Sequence, residues 1–91
     1  MNTTEKVNKI IGSKKVQNAF YNLFDRWEDE KGVEDINDYG NVLFKTFPSV
    51  GAELVESTSK PFGVKFKIDN KVYHLYVAIT GEYLVLRCKM V

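Results

Sequence analysis

Apolar residues recur along this 91-residue chain with two different periods, and the change falls at Pro48. Before it they return every three or four positions. Val16, Ala19, Phe20, Leu23, Phe24 and Trp27 mark one face of a helix, with Asp25 and Asp29 opposite. Gly32 ends that run. Ile36, Tyr39, Gly40, Leu43, Phe44 and Phe47 repeat the spacing and predict a third helix, begun by Asp35 as N-cap and stopped by Pro48. A shorter run, Val7, Ile10 and Ile11, predicts a first helix over 4–11. Asn2 stands three residues before Glu5, the spacing of a capping box. Gly12 then suits the C-cap and Ser13 the next N-cap. A helix this short is prone to fray.

After Pro48 the period is two. Ala52–Ser57 reads as a weak strand, and 58–62, with Lys60-Pro61, as a turn. Val64, Phe66 and Ile68 alternate with Lys65, Lys67 and Asp69, a half-buried strand. Asp69-Asn70 or Asn70-Lys71 makes a tight hairpin turn. Tyr73, Leu75, Val77 and Ile79 then alternate with His74, Tyr76 and Ala78. Gly81-Glu82 suits a type II′ turn, with glycine first. The last strand sets Leu84, Leu86, Cys88 and Met90 on one face.

That turn predicts a register. With Gly81 and Glu82 as the loop, Ile79 faces Leu84, Val77 faces Leu86, Leu75 faces Cys88 and Tyr73 faces Met90. A slip of one residue would set core side chains against Arg87 or Lys89, so burial specifies the pairing strongly. The apolar sheet face needs cover, and the helices supply it. The expectation is a single α+β domain over 1–91. Two or three N-terminal amphipathic helices pack on one face of a three- to four-stranded antiparallel meander.

Composition narrows the function classes. A chain this short buries one core and has little room for a large ligand cavity as well. The net charge of +1 provides no global field to recommend nucleic acid. The layout is uneven: residues 1–24 are basic, 25–38 strongly acidic, and the rest basic again. Cys88 is the sole cysteine, which excludes an intramolecular disulfide. No apolar run has the length of a signal peptide or membrane span, so the expected location is cytoplasmic, without a membrane partner. Lysine far outnumbers arginine and asparagine is common, a codon bias that hints at a low-GC bacterium or its mobile elements.

Candidate chemistry is sparse. Alternation puts Cys88 on the inner sheet face and His74 on the outer, so the backbone separates the two residues that suggest nucleophilic catalysis. Cys88 then reads as a small core hydrophobe and His74 as a solvated strand residue. Asp35-Ile36-Asn37-Asp38-Tyr39-Gly40 begins like a calcium loop. It fails at Tyr39 and at Thr46, where ligands are required. No glycine-rich phosphate loop is present. The expectation is therefore a non-enzyme without metal or cofactor.

Two surfaces remain. The outer sheet face gathers Lys65, Lys67, His74, Tyr76, Tyr83, Arg87 and Lys89, and Asp25, Glu28, Asp29, Glu34 and Asp38 form an acidic corner. They suggest a small non-catalytic protein-binding module, such as a phage- or mobile-element-encoded inhibitor or accessory factor acting on a larger bacterial protein. The alternative is a nucleic-acid-binding protein that stacks bases on the outer-face tyrosines and pairs phosphates with the cations. Self-association is a further expectation, because strands at sheet edges need blocking or pairing.

Overall fold

The computed structural model describes residues 2–30 and 47–91, with side chains in the second helix described as far as Arg26. It is an α+β fold. Two N-terminal helices and a short helical turn accompany a four-stranded antiparallel sheet.

Helix α1 spans Thr3–Ile11 and α2 spans Lys14–Glu30. Asn2 starts α1 as read from the sequence: its Oδ1 accepts the Glu5 N–H at 2.9 Å. Gly12 closes α1 without turning left-handed, at φ −79°. What it provides there is space, since a Cβ would lie 3.1 Å from the Asn8 carbonyl oxygen. Ser13 begins α2, its carbonyl accepting from Gln17 N–H at 3.0 Å and its hydroxyl from Val16 N–H at 3.4 Å. The Gln17 side chain reaches back to donate to the Ile11 carbonyl at 2.8 Å, satisfying one of the orphan acceptors at the end of α1. Val7, Ile10, Val16, Phe20, Leu23 and Phe24 are buried, the stripe that the spacing predicted. The Trp27 side chain, Gly32, the third helix before Phe47 and its calcium-like loop lie outside what the structure describes.

The chain returns at a helical turn over 47–49, and here the structure corrects Pro48 as the stop. Helical geometry continues through Pro48 and ends at Gly51, which sits left-handed at φ +76°. Ala52 N–H donates to the Phe47 carbonyl at 2.8 Å and Gly51 N–H to the Pro48 carbonyl at 3.0 Å. Those two bonds are a Schellman cap, and the buried Phe47 and Ala52 supply its apolar contact.

Four strands follow in meander order: β1 Glu53–Ser59, β2 Phe62–Ile68, β3 Lys71–Thr80 and β4 Tyr83–Met90. The β3–β4 pairing is the one read from the sequence: Ile79 faces Leu84, Val77 Leu86, Leu75 Cys88 and Tyr73 Met90. Of the two loop residues only Gly81 has positive φ, 62°, which is the type II′ pattern. Between β2 and β3, Asp69 and Asn70 both have positive φ, 49° and 64°, as a type I′ turn requires. The first hairpin is tighter than expected. Strand β1 runs on to Ser59, which pairs with Phe62, so the turn is only Lys60-Pro61, joined by a cis peptide. Val55 is left over as a bulge where the β1–β2 register shifts.

The core lies between the helices and the sheet. Phe62, Val64, Phe66 and Ile68 of β2 are all buried, as are Leu75 and Val77 of β3. Phe24 meets Phe62 edge-on at 5.8 Å, and Phe47 packs on Phe66 at 5.1 Å. Cover for the whole inner face does not materialise. Ile79 is 68% exposed and Met90 62%, and Leu84 is also open. Ten residues of strand reach roughly 33 Å. Nine residues of helix reach roughly 14 Å and seventeen roughly 26 Å. The turn end of the β3–β4 hairpin therefore runs past the two described helices, and Met90, at the other end of β4, lies on the sheet edge.

Candidate interaction surface

The sheet register sets the outer face in rows. Glu56, Lys65, His74 and Lys89 lie side by side across the four strands, and Thr58, Gly63, Tyr76 and Arg87 form the next row. Lys65 pairs with Glu56 at 3.1 Å. The Lys89 ammonium sits 5.5 Å from the Tyr76 ring centroid, within cation–π reach. Lys67, Tyr83, Arg87 and Lys89 are exposed, Tyr83 by 74%. Six of the seven outer-face residues picked from the sequence thus remain accessible, wholly or in part.

His74 is the correction. It lies on the outer face as alternation requires, yet it is only 6% exposed. The cause is Gly63. β1 and β3 flank β2, roughly 9–10 Å apart, and a residue with a side chain at 63 would stand between them. With none there, Thr58 Oγ1 reaches His74 Nε2 at 2.8 Å. Tyr76 closes over the imidazole, ring centroids 5.0 Å apart.

The same contact assigns the histidine proton. Thr58 has one hydroxyl hydrogen, and it is donated to the Pro61 carbonyl at 2.7 Å. Its oxygen is left to accept, so His74 Nε2 carries the hydrogen and donates. Burial lowers the His74 pKa below its ordinary value, and the charges of Lys65 and Lys89 lower it further. The imidazole is a neutral structural clasp across three strands, holding the base on which Tyr76, Arg87 and Lys89 stand.

Cys88 faces the core opposite Leu75, on the other side of the sheet from His74. Burial pushes its thiol pKa up to about 11, so it is a thiol and not a thiolate at neutral pH. Among the described residues no three His, Cys, Asp or Glu side chains converge as a metal site would need. An open cleft of about 350 Å³ runs from Phe24 and Phe62 past Pro61 to Ile79, at the small end for a ligand site and mostly apolar. Of the acidic corner, Asp25 is exposed on α2, while Glu28, Asp29, Glu34 and Asp38 lie outside the described side chains. No described helix is long and apolar enough to cross a membrane.

Comparison with protein-family models, with curated proteins and with solved structures finds no match in any of the three. A functional reading rests on the geometry alone.

Proposed function

We propose that the chain is a non-catalytic, cytoplasmic protein-binding module, an inhibitor or accessory factor that docks on a larger bacterial protein through the outer face of its sheet. The supporting observation is the make-up of that face. Exposed Arg87 and Lys89 and half-buried Tyr76 stand together on a braced floor of Glu56–Lys65 and Thr58–His74 contacts, with exposed Tyr83 further along β4 on the same face. Tyrosine and arginine dominate binding energy at protein interfaces, and rigid support reduces the ordering cost of association. The net cation excess of the face selects an acidic partner surface and speeds encounter with it.

The test is capture from the host lysate with the intact chain and with an Arg87→Glu/Lys89→Glu variant of matched stability. A partner recovered in stoichiometric amount should bind the variant at least about tenfold more weakly. Equal recovery by both proteins would remove the outer face from the interface. Tyrosines among cations also suit single-stranded nucleic acid. That reading predicts binding of a mixed-sequence oligonucleotide that weakens steeply with salt, and in that outcome the protein-partner reading falls.

A further inference from the structure

The two edges of the sheet are built differently. β1 is broken by the bulge at Val55, and a bulged edge is a poor template for another strand. β4 carries no bulge, and its charged residues, Arg87 and Lys89, both lie on the outer face. It runs from Tyr83 to Met90 in unbroken register with β3 and contains no proline. Among the described residues no strand lies beyond it.

The direction of its backbone groups follows from one bond. Val91 N–H donates to the Val72 carbonyl at 2.9 Å, so those two residues form a hydrogen-bonded pair. Such pairs alternate along an antiparallel ladder. Lys89, Arg87, Val85 and Tyr83 therefore also bond to β3, and Leu84, Leu86, Cys88 and Met90 aim their N–H and C=O at the open edge. The same four side chains lie on the apolar face, where Leu84 and Met90 are exposed. Among the described residues the edge thus offers an unpaired ladder and apolar side chains together.

A second copy of the chain matches that edge, and charge selects how. With Leu86 on a two-fold axis, Leu86 faces Leu86 of the second copy, and Leu84 faces its Cys88. On the outer face Val85 faces Arg87, and Tyr83 faces Lys89. Arg87 meets an aliphatic side chain and Lys89 an aromatic one, the kind of contact that Lys89 already makes with Tyr76. Moving the axis to Arg87 sets two guanidinium groups opposite each other. Moving it to Cys88 sets Arg87 against Lys89. Like charges directly opposed destabilise a sheet. Moving it back to Val85 runs the far end of each strand past the other copy's turn and shortens the ladder.

We propose that two copies pair edge to edge through β4, antiparallel, across a two-fold axis at Leu86, and join their sheets into one. This stands apart from the partner-binding reading, since the outer faces stay open and merge into a wider platform.

Sedimentation equilibrium of the full chain from micromolar to millimolar concentration, with reductant present, should show a monomer–dimer equilibrium. Leu86→Pro removes an N–H that faces the second copy and no bond to β3, so it should remain folded and become monomeric across the range. Cysteines report the register independently. In a Cys88→Ser background, Val85→Cys with Arg87→Cys places thiols across non-hydrogen-bonded pairs, and mild oxidation should yield a covalent dimer. Arg87→Cys alone in that background should not. Monomer throughout, with no covalent dimer from the paired cysteines, overturns the proposal. So does a folded Leu86→Pro protein that still dimerises, or cross-linking by Arg87→Cys alone, which would place the axis elsewhere.

Discussion

Two glycines in the second half are required for different physical reasons. Gly63 is required by proximity. A Cβ built there would sit 2.1 Å from the Leu75 carbonyl oxygen and 2.6 Å from Tyr76 Cα, both backbone atoms that cannot swing aside. Gly51 is required by conformation: its φ is +76°, with nothing within 4 Å of the place a methyl group would take. The two therefore separate in magnitude. Gly51→Ala should cost about 1 kcal/mol, the ordinary penalty for a left-handed L-residue. Gly63→Ala should cost about 3 kcal/mol or more, because β2 and β3 must part or the chain must refold around the clash. Urea denaturation of both variants measures the difference, and comparable midpoints would mean that the close approach at Gly63 is easily relaxed. The outer face shares the consequence, since the Thr58–His74 contact passes over the same residue.

At the scale of elements, α1 is held at both ends. Its apolar residues Val7 and Ile10 enter the core, and its first turn is tied to the β2–β3 turn. Thr3 Oγ1 donates to Asp69 Oδ2 at 2.6 Å, and Lys6 Nζ lies 3.1 Å from Asp69 Oδ1. Asp69→Asn keeps a side chain that tolerates positive φ, so the hairpin should survive while the tie to Lys6 weakens. Amide exchange should then quicken in α1 and stay slow in β2 and β3; uniform quickening would show that the anchor supports the sheet as well. This tie was hidden in the sequence, because it joins residues more than sixty positions apart. The elements that were legible had two local signals in agreement. Gly81 and the apolar alternation both name the β3–β4 register, and helical spacing with caps names α1 and α2. Elements with a single or diffuse signal were misplaced. The turn residues from Thr58 to Pro61 left the end of β1 unmarked, and Gly51, not Pro48, ended the helical turn. Burial of His74 was illegible for a related reason. Alternation assigns a face, but whether an outer-face residue is covered depends on which residues lie diagonally across from it on the next strand and on the third.

For the whole molecule, the consequence of that burial is a dependence of stability on acid. His74 is the chain's one histidine. In the unfolded chain it titrates near 6.5; in the fold its pKa is lower, first from burial and then from the charges of Lys65 and Lys89. Between the two values the unfolded chain binds the extra proton and the folded one does not, so stability falls as pH drops below about 6.5. The decline levels off once pH passes below the folded pKa, where both states are protonated. Asp69 acts in a second, lower window. Its hydrogen bond from Thr3, and then that from Lys6, hold its pKa below the usual 3.8. The stability it contributes is complete above that value and is lost as pH falls through the folded pKa. His74→Gln retains a side-chain donor toward Thr58 and has nothing to titrate. Its stability, although lower at neutral pH, should be flatter than that of the parent chain from about pH 7 to about pH 5, and the two should decline alike in stronger acid. Denaturation midpoints across that range decide the matter. Parallel curves for parent and variant would mean that the imidazole is free to charge within the fold, and that the Thr58–His74 clasp does not hold the outer face together.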